Sequence, residues 1–243
     1  PTARTFPPRR DSAIITPIPP TPAKPMPRYQ HILFDLDGTL IDSAPAILAS
    51  YREAFARCDV APARSIDESI VGPPLIETLQ GLTGSHDKAL IERLADGFKA
   101  SYDSEGYKQT AAYAGIGEML QALRQAGLRL SIATNKRILP TRLILAHLGW
   151  LDHFEHIYAL DLFEPRLPDK AAMIRRLMAD HELPEGSSIY IGDRSEDGES
   201  ADANQLPFIA ATWGYGSIAP EEMPPHWRAV GTPDAMLAAL LAD

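Results

Sequence analysis

The stretch HILFDLDGTLIDS, His31 to Ser43, decides how the rest of the chain is read. Ile32, Leu33 and Phe34 form an apolar run suited to a buried strand, and the run stops abruptly at Asp35, Leu36, Asp37, Gly38 and Thr39. Side chains alternate across a strand, so Asp35 and Asp37 can point the same way and share one metal ion while Leu36 turns back into packing. Gly38 allows a tight turn and a close approach to a bound anion, and the Thr39 hydroxyl can orient Asp37. The competing reading is a strand end followed by an ordinary Asp-Gly turn with both carboxylates solvated. The remaining motifs choose between the two.

Downstream of Ser43, a possible helix cap, the segment Pro45 to Arg57 carries Ile47, Tyr51, Ala54 and Phe55 on one helical stripe. Ser65 and Glu68 read as a capping box for a short helix, and Gly72, Pro73 and Pro74 then break the chain. Leu75 to Leu82 and Asp87 to Tyr102 are helical again, the second with Leu90, Ile91, Leu94 and Phe98 at helical spacing. Residues 44–110 therefore read as a helical cap inserted after the first strand, with the character of a lid. From Ile116 helices and strands alternate: helix Ile116 to Gln125, strand Leu128 to Thr134, helix Pro140 to Leu148, strand His156 to Leu160, helix Lys170 to His181. Strand Ser188 to Ile191, helix Glu199 to Asn204, strand Phe208 to Thr212 and helix Pro233 to Leu241 complete the series. Such alternation implies an α/β fold with a parallel sheet. The core is assigned to residues 28–43 and 111–243. Residues 1–27, which hold nine of the 22 prolines and show no apolar periodicity, read as a disordered tail.

Composition narrows the function classes. With 243 residues and 45% apolar content the chain can bury a sizeable core. Cys58 is the only cysteine, which excludes an intrachain disulfide and a thiolate metal cluster and is read as a small buried hydrophobe. No apolar run approaches the ~18 residues of a membrane span, and the first thirty residues lack a secretory core, so a cytoplasmic protein without a membrane partner is expected. The formal charge is −9, and without residues 1–28 the 23 basic and 32 acidic side chains become 18 and 31, a net of −13. Such a surface repels nucleic acid, and a phosphate ester would need a local cation and a few placed basic groups instead.

In open parallel sheets ligands sit beyond the carboxyl ends of the strands. Those ends carry Asp35 and Asp37, then Thr134 and Asn135 in SIATNK, and then Asp193 and Asp197 in IYIGDRSED, with Gly192 easing the turn. Lys170, just before a helix, can supply the positive charge that phosphoryl transfer requires. Each has a bland explanation alone: helix caps, a solvated lysine, loop carboxylates. Together they recur in the order and at the strand ends that a magnesium-dependent phosphoryl-transfer site needs.

FDLDGTLIDS, ATNK, GDRSED and TWGYG (Thr212 to Gly216) give residues 30–240 a resemblance to the haloacid dehalogenase superfamily, in its phosphatase branch near phosphoglycolate phosphatases. The resemblance implies a Rossmann-like core, a helical cap and one Mg²⁺. It implies Asp35 as nucleophile, Asp37 as general acid and base, and Gly38, Thr134, Asn135 and Lys170 around the phosphate. The metal would be held by Asp35, the Asp37 carbonyl and Asp193, with Thr39 and Asp197 in support. Two departures bear on Lys170: Ala171 follows it where many relatives have proline, and the preceding LDLFEPRLPD is unusually bulky, so Arg166 is the second candidate. Dehalogenases of the superfamily lack the second aspartate, so Asp37 argues against carbon–halogen hydrolysis. The expected activity is Mg²⁺-dependent hydrolysis of a small phosphorylated metabolite, phosphoglycolate-like or other, through an aspartyl phosphate, by a monomer or homodimer. The alternatives are a phosphosugar mutase, for which His86 and Lys88 would have to serve the cap, and a non-catalytic phosphate-binding protein.

Overall fold

A computed structural model describes residue 2, residues 28–216 and residues 218–242. Apart from residue 2, the tail expected over residues 1–27 lies outside the described residues. The elements follow as β1 (His31–Phe34), β2 (Ile41–Asp42), α1 (Ala44–Arg57), α2 (Leu75–Thr83), α3 (Lys88–Tyr102), β3 (Ala111–Ala112), α4 (Ile116–Gln125) and β4 (Arg129–Thr134). After these come α5 (Ile138–His147), β5 (His156–Ala159), α6 (Lys170–Asp180), β6 (Ser188–Gly192), α7 (Ser195–Asp202), β7 (Phe208–Ala211), β8 (Arg228–Val230) and α8 (Pro233–Ala242). Six strands form one parallel sheet in the order β5-β4-β1-β6-β7-β8.

β1 sits in the middle and is buried on both faces. Ile32 and Phe34 join the apolar cluster that takes in residues of α1, α3, α4 and α8, whereas Leu33 joins the opposite cluster with Met173, Ile174 and Leu177 of α6. Each of these three strand residues is fully removed from water, worth about 1.5–3 kcal/mol per side chain. The result is a three-layer α/β fold in which no part of β1 tolerates solvent. The chain reverses direction around β1, passing first to β4 and β5 and then to β6, β7 and β8, so the crevice beyond the carboxyl end of β1 is the natural ligand site.

Several local expectations change. β2 and β3 pair antiparallel as a two-stranded ribbon, and β8 adds a sixth strand; residues this few leave no alternation to detect. The ribbon joins the two ends of the α1–α3 segment. Ser43 stands at the start of α1 but makes no capping bond. The short turn over Glu68–Ile70 is capped by Asp67, which accepts from Ser69 N, and not by Ser65. α7 begins at Ser195, four residues before the expected Glu199. Cys58 is half-buried, with its Sγ 3.7 Å from the Arg93 carbonyl oxygen. Among the described residues no helix is long and apolar enough to cross a membrane.

Candidate active site

Register brings the strand ends together: Phe34 of β1 lies opposite Ile132 of β4 and Ile191 of β6. Asp35, Thr134 and Asp193 therefore emerge within a residue or two of one another. Asp169 caps α6 by accepting from Ala172 N at 2.7 Å, which fixes the start of the helix and sets Lys170 in its first turn. Lys170 Nζ lies 3.3 Å from Asp35 Oδ1 and makes a short bond to Asp197 Oδ1. The second Asp197 oxygen accepts from the backbone N–H groups of Asp193 (3.1 Å) and Arg194 (3.0 Å). Both oxygens of Asp197 are thus committed to holding Lys170 and the loop after β6.

One oxygen each from Asp35, Asp193 and Asp197 lies within 4.8 Å of the others, and all three residues are buried. Lys170 offsets a single negative charge. At about 4 Å and an effective dielectric near 20 two unit charges interact by about 4 kcal/mol, so the surplus negative charge calls for a further cation. Asp35 Oδ1 is buried without a hydrogen bond. Burial drives Asp35 well above the usual carboxylate range, a shift that Lys170 moderates and Asp197 reinforces. Burial likewise pushes Asp193 up to about 7, helped by Asp197 and opposed by the Gly216 N–H. Burial also works against the Lys170 charge, but Asp197 and Asp35 outweigh it and keep the ammonium protonated. An all-oxygen, charge-deficient cluster of this kind fits a hard divalent cation.

Asp37 faces elsewhere. The expectation that it shares an ion with Asp35 through its side chain rested on strand alternation, but β1 ends at Phe34 and the backbone then folds into a tight turn closed by Gly38 N to Ile41 O at 2.9 Å. Its carboxylate accepts from Lys136 Nζ at 2.8 and 3.1 Å and makes a short bond with Ser43 Oγ. Thr39 does not orient it either; the Thr39 hydroxyl donates to Asp193 Oδ1 at 3.4 Å. Gly38 has φ +83°, and a Cβ there would fall 2.2 Å from Asp193 Oδ2, so the glycine is needed for close approach to this carboxylate.

Thr134 and Asn135 are buried beside the cluster. The Thr134 oxygen accepts from Lys136 N at 3.2 Å. Asn135 Nδ2 donates to Glu196 Oε1 at 3.0 Å. Arg166, the second candidate for the phosphate cation, instead pairs with Glu77 at 2.9 Å at the molecular surface, whereas Lys170 is 2% exposed and reaches Asp35. His86 and Lys88 are exposed.

Sequence reasoning missed Lys136, Ser43, Tyr102 and Tyr215. Lys136 is the residue after Asn135 in the quoted SIATNK, and its side chain is only 5% exposed. Burial opposes its charge, but Asp37 prevails and raises its pKa. Its ammonium also lies 4.8 Å from the centre of the Tyr102 ring on α3. Tyr215 OH lies 3.1 Å from Ser43 Oγ, and Trp213 Nε1 donates to Thr39 O at 3.0 Å, so the TWGYG loop braces the turn that carries Asp37. Lys136 follows Asn135, Ser43 closes the first motif and Tyr215 lies in TWGYG, so three of the four stood in or next to quoted motifs; Tyr102 comes from the far end of α3.

Comparison with known proteins follows the same lines. The chain is 36% identical over 190 residues to the tyrosine-protein kinase PtkA of Mycobacterium tuberculosis, covering 77% of this chain and 63% of that one. It therefore spans less than two thirds of the length of that relative. It is 32% identical over 200 residues to a phosphoglycolate phosphatase of Cereibacter sphaeroides, covering 80% of this chain and 90% of the relative. A solved structure described as a predicted phosphatase from Clostridium acetobutylicum superposes with a TM-score of 0.78 at 29% identity, over 88% of this chain and 99% of the other. The family profile of haloacid dehalogenase-like hydrolases matches residues 32–211, from β1 through the Asp35, Lys170 and Asp197 cluster to the end of β7, and the chain belongs to that family.

Proposed function

We propose that the chain hydrolyses small phosphate monoesters through an aspartyl phosphate on Asp35, with one Mg²⁺ bound. The observation that carries this reading is the buried, unbonded Asp35 Oδ1, with Lys170 at 3.3 Å and two further carboxylates within 4.8 Å. Asp35 and Asp193 are the side chains with capacity for the metal, joined by the backbone carbonyl of Asp37, while Asp197 keeps Lys170 and the Asp193 loop in place. The ion supplies Lewis-acid relief of the repulsion between the attacking carboxylate and the phosphate dianion. Lys170, the Thr134 hydroxyl, the Asn135 amide and the backbone at Gly38 neutralise and orient the phosphoryl oxygens. Asp35 attacks phosphorus and the ester oxygen leaves with a proton that Asp37 relays from the Lys136 ammonium bonded to it; the water that hydrolyses the aspartyl phosphate gives its proton to Asp37 and so restores the ammonium.

The α1–α3 segment serves as the cap in this reading, joined to the core through the β2–β3 ribbon and closing over Asp37. The cap excludes water from the reacting centre and restricts the site to small esters. The relative named a phosphoglycolate phosphatase supports hydrolysis. The relative named a tyrosine-protein kinase raises a second reading, phosphoryl transfer to a protein tyrosine. The wall that α1 and α3 place beside Asp37 favours hydrolysis of small esters over reaction with a protein chain. The exposure of His86 and Lys88 leaves a mutase without its expected cap groups.

The test is phosphate release from p-nitrophenyl phosphate and a panel of phosphorylated metabolites, with Mg²⁺, with chelator and with Ca²⁺. Release that needs Mg²⁺ and is poorly supported by the loosely coordinating Ca²⁺ is expected. Undiminished activity in chelator would refute the metal assignment. Phosphotyrosine formed from ATP without phosphate release from esters would replace hydrolysis with the kinase reading.

A further inference from the structure

Asp37, but not Asp35, lines a small half-open pocket of about 50 Å³. Its wall is apolar, built from Ile47 and Tyr51 of α1, Ile70 and Val71 of the following turn, and Phe98 and Tyr102 of α3. Its polar floor is Asp37 with Asn135, Lys136 and Arg137. In the phosphatase reading, on which this inference rests, the departing oxygen lies beside Asp37, so the first atoms of the alcohol enter this cavity.

The two cations that line the pocket are both engaged; a third, Arg194, packs against Gly72 with its Nε buried and unbonded but does not itself line the pocket. Lys136 is held by both oxygens of Asp37, at 2.8 and 3.1 Å. Arg137 forms a two-point ion pair with Asp103 at the end of α3, one contact being 2.8 Å. A substrate carboxylate placed here would have to draw Lys136 from Asp37 or Arg137 from Asp103, stranding a largely buried carboxylate, or else go uncompensated. An uncharged alkyl or aryl group breaks neither pair and is buried against six apolar side chains. The cavity shares Leu75, Asn135 and Arg137 with an open cleft of about 470 Å³, lined also by Leu139 and Leu160, so a longer apolar group can continue outward.

We propose that this chain selects phosphate monoesters whose alcohol is uncharged and apolar over the atoms next to the bridging oxygen, and rejects those carrying a carboxylate there, 2-phosphoglycolate included. The engaged state of Lys136 and Arg137 is the selecting feature. Freeing Arg137 relaxes the selection.

The experiment measures phosphate release by the full chain with Mg²⁺ on propyl phosphate, phenyl phosphate and 2-phosphoglycolate, with p-nitrophenyl phosphate as the reference. The propyl and glycolate esters are close in size and both leave as alkoxides. kcat/KM for propyl phosphate is expected to exceed that for 2-phosphoglycolate by about tenfold or more. Asp103→Asn keeps the shape of the side chain and releases Arg137, and it is expected to narrow that ratio by about fivefold. Equal or faster turnover of 2-phosphoglycolate by the native chain overturns the proposal whether or not the variant folds. A folded Asp103→Asn with an unchanged ratio overturns the role of Arg137. If p-nitrophenyl phosphate is hydrolysed while 2-phosphoglycolate is preferred, only the selectivity inference falls. If no ester releases phosphate, the phosphatase reading fails and takes this inference with it.

Discussion

The two carboxylates of the first motif, two residues apart in sequence, occupy different environments. Asp35 belongs to a cluster built from the ends of adjacent strands and the first turns of α6 and α7, with Lys170 and two more aspartates. Asp37 belongs to a second cluster that spans the core and the inserted helices: Ser43, Lys136, the Tyr102 ring and the cavity wall. The first has surplus negative charge and the capacity for a cation. The second is already neutralised by a lysine from the chain. The difference teaches that the two halves of the proposed reaction, attack and proton transfer, are supported by separate structures, so they are separable by mutation.

The largest effect is expected at Asp35. Asp35→Asn keeps the volume and removes the nucleophile, so turnover should fall by about a thousandfold or more while thermal unfolding stays within a few degrees of native. Retained turnover would break the comparison at its root, because Asp35 would then be no different in kind from Asp37.

Asp37→Asn should act unevenly. An alkoxide needs the proton that an aryloxide such as p-nitrophenolate can do without, so aspartyl-phosphate formation should slow by about 10²–10⁴-fold on an alkyl ester and far less on p-nitrophenyl phosphate. Hydrolysis of the intermediate should slow equally for both, and single-turnover rates with trapping of phosphorylated Asp35 separate the steps. The variant also strands the Lys136 ammonium, a loss of about 3–5 kcal/mol for a broken buried pair. Adding Lys136→Met should restore stability without restoring the alkyl-ester rate. Equal slowing of the first step on both esters, at saturating metal, would take Asp37 out of the acid role.

Phe98→Ala sharpens the contrast from the other side. Phe98 packs on Tyr51 and Tyr102 with ring centroids at 4.5 and 5.3 Å, so truncation should cost about 3–5 kcal/mol of unfolding free energy. KM for apolar esters should rise more than kcat falls, because the Asp35 cluster is untouched. A loss confined to kcat would mean that the helical wall acts on the chemistry directly.

The smallest effect belongs to the opposite end of the sheet, where His31 and His156 lie. Burial lowers the pKa of both, aided for His31 by Arg129 and for His156 by the stacked His181. Their folded pKa values lie below the unfolded value near 6.5, so the unfolded chain binds more protons in that window. Stability should therefore be complete above about pH 6.5 and decline as pH falls below it. His156→Gln should flatten this slope in urea titrations between pH 5 and 7, with no change in the leaving-group dependence of the reaction. An unaltered slope would place the titration elsewhere.

The sequence by itself determined the α/β fold and which residues gather around Asp35. Apolar runs ending in polar residues mark strand ends, and in a parallel sheet every strand end meets its neighbours on one edge, so Asp35, Thr134 and Asp193 were legible as a set without any knowledge of packing, whereas the choice of Lys170 over Arg166 waited on the start of α6. Strand alternation, by contrast, misled the reading of Asp37, because β1 stops at Phe34 and the period of two ends with it. Lys136, Tyr102 and Tyr215 converge on Asp37 and the nearby Ser43 from segments that no local pattern links. The engagement of Arg137 by Asp103 likewise depends on how α3 docks on the core. Tertiary structure alone decided these contacts, since which side chains meet between elements far apart in the chain depends on how those elements pack, a quantity that short-range periodicity does not encode.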